Sequence, residues 1–114
     1  MKRTFGQVLR DIRRSRGISQ RELAERVLVD FSYISKVEND RIPPPAADTI
    51  VKICNELDVP PDGLLALTGK MPTDVKNLIG SNPTVMQFIR NAQSMELTED
   101  EWEAMNKHLK KLRE

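Results

Sequence analysis

The sequence predicts an all-α chain, with five short helices in one compact unit and about three more in the segment that follows. Three observations predict it. Apolar residues recur at spacings of three and four almost throughout, and no stretch alternates as a strand would. Cap residues and glycines fall at the ends of these periodic runs. Aromatic residues are few (Phe5, Phe31, Tyr33, Phe88 and Trp102), which leaves a core of Leu, Ile, Val, Met and Ala suited to helix packing.

The first helix is expected from about Thr4 to Arg16, with Phe5, Val8, Leu9 and Ile12 as its apolar stripe. Arg10, Arg13, Arg14 and Arg16 read as its other face, and Gly17 stands where a left-handed residue would end it. The second helix opens at Ser19, with Glu22 at capping-box spacing, and turns Leu23, Ala24 and Val27 inward. After a short turn Asp30 is expected to cap a third helix, about Phe31 to Asn39, with Ile34 and Val37 inward. Pro43-Pro44-Pro45 then breaks the chain, since no helix continues through three prolines. A fourth helix, about Ala46 to Leu57, carries Ile50, Ile53, Cys54 and Leu57 on one face. Pro61 can start a short fifth through Leu64, Leu65 and Leu67, closed by Gly69.

Residues 70–114 have their own punctuation. Pro72 can begin a helix with Val75, Leu78 and Ile79, which Gly80 is expected to stop. Asn82-Pro83 is an N-cap followed by a first-turn proline, opening a helix with Val85, Phe88, Ile89 and Ala92. Thr98 to Glu101 is a capping box for a last helix with Trp102, Met105, Leu109 and Leu112. The expected division is therefore a domain over 1–69 and a helical segment over 70–114, joined at 68–72.

Composition excludes several function classes. Of 114 residues, 39% are hydrophobic and 31% charged, an ordinary balance for a soluble globular chain. No run approaches the roughly 20 apolar residues that a membrane span needs, and Met1 to Thr4 does not read as a secretory signal. A single cysteine makes no internal disulfide, so a reducing cytoplasm is the expected setting. His108 lies among lysines, Cys54 lies on an apolar face, and one of each cannot build a zinc site. With no glycine-rich phosphate loop either, we expect no catalytic residue, metal or cofactor, and no enzyme. The net charge of +1 hides an asymmetry: residues 1–41 hold ten Lys/Arg against six Asp/Glu, the rest eight against eleven. A basic first third is what a polyanion-binding face requires, although a solvated arginine-rich helix would look the same.

The stretch from Gln20 through Leu23, Ala24, Val27, Asp30, Ile34, Val37 and Glu38 to Asn39 places two short helices about a tight turn, with small Ala24 at the crossing. With Leu9 to Arg13 before it and Thr49 to Ile53 after it, this pattern resembles the phage-repressor-like (lambda repressor-like) helix-turn-helix of the XRE family of transcription regulators, over about Phe5 to Leu67. The resemblance implies that the second helix of the pair enters the major groove of duplex DNA and meets base edges near its N-terminus. By position, Phe31, Ser32, Ser35 and Lys36 then face the groove, Phe31 toward a thymine methyl and Lys36 toward guanine or phosphate. Gln20 resembles the glutamine that anchors a phosphate and braces the groove contacts, and Arg21 beside it counts among the DNA-facing residues. Asn39, Arg41 and the Tyr33 hydroxyl are expected at phosphates. Two alternatives stay open: Ser35 as a plain helix-surface residue, and Phe31 as core or as a staple across the turn. Glu38 is expected to pair with Arg10 structurally, as in the resembling family. One departure stands out, because Leu28 occupies the turn position usually held by glycine. Either the turn is altered or burial of Leu28 offsets a backbone cost on the order of 1 kcal/mol.

One recognition helix spans too few base pairs for useful specificity, whereas a two-fold dimer sets two of them about 34 Å apart in successive grooves. The apolar stripes of residues 72–112 are more than about 40 residues can bury alone, and a twin chain would cover them. Phe88, Ile89, Trp102, Met105 and Leu109 are the expected dimer contacts, unless the tail folds back onto its own domain. The expected function is that of a sequence-specific transcription regulator, a repressor acting as a homodimer on an inverted-repeat operator. The alternative is an antitoxin or immunity-type protein whose tail grips a protein partner, with DNA binding secondary. Regulation by an associated metallopeptidase that cuts the tail is a further expectation drawn from the resemblance alone.

Overall fold

The computed structural model describes residues 2–114, which form eight α-helices; no strand occurs among the described residues. These are α1 (Phe5–Ser15), α2 (Gln20–Val27), α3 (Phe31–Glu38), α4 (Ala47–Glu56), α5 (Asp62–Thr68), α6 (Thr73–Ser81), α7 (Pro83–Ser94) and α8 (Glu99–Lys111). The chain divides into two compact units, one ending at Val75 and the other running Lys76–Glu114.

Local chemistry accounts for most of the boundaries. Thr4 opens α1 with a reciprocal capping box: its hydroxyl accepts from the Gln7 amide at 3.1 Å, and the Thr4 amide donates to Gln7 Oε1 at 3.0 Å. Gly17 follows at φ 69°. At α2 only half of the expected box forms. Ser19 Oγ accepts from the Glu22 amide at 3.0 Å, but the Glu22 carboxylate turns to Arg26 one turn along, at 3.2 Å. Asp30 takes the N-cap position of α3 without a side-chain cap bond. In α6, Gly80 does not stop the helix, which runs on to Ser81, where the Ser81 hydroxyl donates to the Asn77 carbonyl at 2.6 Å. Asn82 caps α7 ahead of Pro83, and the Thr98–Glu101 box caps α8.

The core of the first unit gathers one face from each of five helices. Leu9, Leu23, Ile34, Ile50, Ile53 and Leu57 are buried in it with Phe5, Ala24, Val27, Val37, Cys54, Leu64 and Leu65. Helix α3 packs on both α1 and α2, so its orientation is set from two sides. The approach to α1 is tightest at Gly6, where a Cβ would collide with the carbonyl oxygens of Val37 and Glu38 at the end of α3. Burial, followed by the nearby Asp62 charge, pushes the Cys54 thiol up from its ordinary pKa, which keeps it protonated and unreactive.

Two further contacts hold the exit of this unit. Lys70 Nζ donates to the carbonyl oxygens of Pro44 at 3.0 Å and Pro45 at 2.9 Å. The Asp48 carboxylate accepts from the Thr73 amide at 2.9 Å and from its hydroxyl at 2.6 Å. The rigid proline loop is thereby tied to the chain leaving α5.

Candidate nucleic-acid interface

The α2–α3 turn decides how α3 is presented. Leu28 ends α2 in the left-handed conformation, φ 61° and ψ 45°, and its amide donates back to Glu25. The turn is therefore unaltered, and Leu28 is 87% exposed, so burial does not offset its backbone cost either. Both expectations for this residue are corrected. The turn keeps the geometry that favours glycine and tolerates a strained, solvated leucine.

Helix α3 has two distinct faces. Ile34, Val37 and Glu38 are buried, and Tyr33 packs partly against the core. Ser32, Lys36 and Asn39 are exposed, and Ser35 between them is half-buried. Positions 32, 35, 36 and 39 share one side of a helix, so a single rod surface carries two hydroxyls, an ammonium and an amide. Phe31, the first residue of α3, is 42% exposed rather than part of the core. The Arg21 guanidinium lies over its ring, 4.8 Å from the centroid. Burial pushes the Tyr33 phenol up, so its hydroxyl remains a neutral donor at neutral pH.

Behind this surface lies a buried ionic bracket. Arg13 donates through Nε to Glu38 Oε2 at 2.6 Å and through Nη2 to Oε1 at 2.8 Å, and its Nη1 donates to the Ile18 carbonyl at 2.8 Å. Arg10 contributes more weakly, with Nε 3.6 Å from Glu38 Oε1 and Nη2 bonded to Asn39 Oδ1 at 2.6 Å. The expected Arg10–Glu38 pair is thus present but secondary. Arg13, expected on the exposed face of α1, is buried and is the main partner. The sequence signal for this is its place four residues after Leu9 and eight after Phe5, in line with the apolar stripe. Burial by itself would raise the Glu38 carboxyl. The bonds from Arg13 and Gln20 and the charges of Arg13 and Arg10 outweigh it and hold the group below its ordinary range.

Two residues expected at phosphates have internal bonds. Gln20 Nε2 donates to Glu38 Oε1 at 2.9 Å, and Asn39 Nδ2 donates to the Ser35 carbonyl at 2.8 Å while its oxygen takes the Arg10 bond. Both brace α3. Arg41 is exposed, and its amide donates to the Lys36 carbonyl at 2.9 Å, closing the end of the helix. The described residues hold no cluster of His, Cys, Asp and Glu suited to a metal ion. None of their helices is long and apolar enough to cross a membrane.

In the second unit Ala92 is buried, whereas Phe88, Ile89, Trp102, Met105 and Leu109 are all exposed, Leu109 by 64%. Phe88, Trp102, Met105, Leu109 and Leu112 line an open apolar hollow of about 260 Å³ between α7 and α8.

Residues 9–64 match the family model described as Helix-turn-helix. The HTH-type transcriptional regulator RghRB of Bacillus subtilis (strain 168) is 31% identical over 91 residues, which cover 77% of this chain and 66% of the relative, just under two thirds of its length. Among solved structures, the master regulator for biofilm formation SinR, in complex with DNA, superposes with a TM-score of 0.51 at 34% identity, covering 54% of this chain and 98% of that one. The N-terminal DNA-binding domain of SinR from Bacillus subtilis gives 0.50 at 34% identity, over 54% of this chain and 88% of the other. A SinR/SinI complex matches 94% of this chain and 95% of its counterpart with a TM-score of 0.52, at 23% identity, a likeness of fold. The all-α repressor-like architecture, the two-faced α3 and these relatives agree. The chain belongs to the XRE-type helix-turn-helix family of DNA-binding transcriptional regulators.

Proposed function

We propose that this chain is a repressor that binds an inverted-repeat operator as a homodimer in the cytoplasm, inserting one α3 per half-site into the major groove. The observation that carries this is the division of α3 into a buried face (Ile34, Val37, Glu38) and an outward row of Ser32, Ser35 and Lys36 beginning at Phe31. A rod about 10–12 Å across with its side chains fits a groove roughly 12 Å wide. Hydroxyl and ammonium groups on its outer face supply donors and acceptors for base edges. Arg41 and the Tyr33 hydroxyl flank that row and would hold phosphates, which fixes register without reading sequence, and Arg21 at the start of α2 is proposed to face the DNA beside them. Gln20 and Asn39 support the same surface from within through Glu38 and Ser35, and the N–H that each amide has left is proposed to reach a phosphate.

Pairing is proposed through α7 and α8, where Phe88, Ile89, Trp102, Met105 and Leu109 are exposed together. Phe88, Trp102, Met105 and Leu109 line one open apolar hollow, the kind of surface that a covering partner would bury. Covering it with the twin chain would supply the two-fold symmetry that an inverted repeat mirrors.

Selection from a random duplex pool, at stated salt, tests the proposal. The expected product is an inverted repeat with half-sites about one helical turn apart. A selected site without two-fold symmetry overturns the homodimer. Stoichiometric co-purification of a second protein on a monomeric chain favours the partner-binding alternative.

A further inference from the structure

We infer that Arg21 and Phe31 form one composite reader that selects a thymine beside a guanine in each half-site. The inference rests on the proposed insertion of α3 into the major groove and names the base step that this insertion favours. It starts from the cation–ring stack that bridges the two helices of the motif, with the Arg21 guanidinium 4.8 Å from the Phe31 centroid. Both residues are exposed, Arg21 as the second residue of α2 and Phe31 as the first of α3. Among the described residues Arg21 forms no ion pair.

The contact with the ring is electrostatic and spends none of the guanidinium's N–H donors on a hydrogen bond. Those donors form a rigid fork that matches O6 and N7 of guanine, the commonest specific contact in the major groove. The ring holds that fork in place before DNA arrives, which reduces the freedom given up on binding. Phe31 offers an apolar edge at the end of the helix that meets bases, and the apolar mark in the groove is the C5 methyl of thymine. The stack also sets the spacing. Successive base pairs rise by about 3.4 Å and the two groups lie 4.8 Å apart, so they address neighbouring pairs rather than the same one. The fork takes guanine, and the ring takes the methyl next to it.

The competing role for Arg21 is a phosphate clamp, and lysine separates the two because it keeps the charge and loses the fork. Three measurements on the full chain test the inference. Sites selected from a random duplex pool should carry adjacent T and G under the start of α3. R21K should lower discrimination for that guanine by about tenfold or more, with the salt dependence of binding unchanged. Replacing the thymine by deoxyuridine, which lacks the methyl, should weaken binding of the native protein severalfold and leave F31A indifferent. This last comparison alters the DNA and so reads the methyl contact in a natively folded chain. An inverted repeat with no adjacent T and G, an R21K protein with undiminished guanine preference, or native binding indifferent to deoxyuridine each overturns the inference while operator binding stands. Failure to select any site overturns the operator proposal and this inference together.

Discussion

Arg13 and Glu38 meet inside the core through two bonds of 2.6 and 2.8 Å, joining α1 to the C-terminal end of α3. The Glu38 side chain has no solvent exposure and that of Arg13 has 8%, so water cannot replace either partner. Gln20 adds a third bond to the same carboxylate from α2. One buried group thus fixes three helices around the surface proposed to read DNA.

Removing Glu38 leaves a buried, unpaired guanidinium. E38A should therefore destabilise the first unit by about 3–5 kcal/mol, measured by urea unfolding. The pH dependence has a definite sign. The folded carboxyl lies below its ordinary range, so its contribution is complete above the unfolded value of about 4.3 and is lost as pH falls through the lower folded value. The native chain should lose stability over that acid window more steeply than E38Q, which has no proton to take up there. Parallel acid profiles for the two proteins would contradict the bracket.

Gly6 lies where a Cβ would strike two carbonyl oxygens of α3. Backbone atoms cannot rotate away as a side chain can, so G6A must push the helices apart. We expect a destabilisation of about 1–3 kcal/mol, together with weaker DNA binding under conditions where the variant is still folded. Thermal unfolding and gel-shift titration check the two halves of this prediction.

Leu28 predicts the opposite sign. At φ 61° and 87% exposure it carries backbone strain with almost no burial to lose. L28G relieves roughly 1–2 kcal/mol of left-handed strain against about 0.5–1 kcal/mol of added chain entropy. The net expectation is a more stable protein with a higher Tm. A lower Tm would mean that Leu28 contributes something in the native chain that its exposure does not reveal.

Base readers and phosphate contacts should separate in binding assays. Changing Ser35 and Lys36 to Ala is expected to relax base preference, by about 1–3 kcal/mol for each good bidentate pair removed. R41A should instead weaken binding to all sequences alike and lower the magnitude of the salt slope by about 1. Unchanged base preference in the Ser35/Lys36 variant would place the reading surface elsewhere.

Charge placed on the exposed apolar face of the second unit tests pairing. F88E combined with W102E should yield a monomer by analytical ultracentrifugation, with a folded first unit and much weaker operator affinity. Phe88 is 49% and Trp102 38% exposed, so the substitutions also cost some packing between α7 and α8, and circular dichroism of the variant checks that its helices persist. A dimer that survives them must be held by other residues.

Helix positions and most core residues are legible in the sequence because a 3.6-residue period and the cap residues act over a few positions. Thr98 and Glu101, or Asn82 and Pro83, are read from neighbours alone. What escapes such reading depends on distant partners. Arg13 stands in line with the apolar stripe of α1, but what lets an arginine be buried there is Glu38, 25 positions away, which turns inward to meet it. Glu22 fits a capping box by spacing, yet Arg26 competes for its carboxylate. Gly80 carries the residue type of a helix stop, but Asn82-Pro83 supplies the break two residues later. The Thr4–Gln7 box obeys the same local rule as the others, with glutamine in the place that glutamate more often fills. At the candidate site, spacing indicates which residues face outward. The Arg21–Phe31 stack cannot be read from spacing, since it crosses between two helices.

The contacts made by Lys70 and by Asp48 with Thr73 bear on how this domain comes apart. A chain leaving a compact unit ordinarily frays first, and opening would then spread inward through α5. Here the exit is buttoned at two successive points, to the proline loop and to α4. Amide protons of α5 should accordingly exchange at rates close to those of α4, as parts of one cooperative block, with rapid exchange confined to residues beyond the second button.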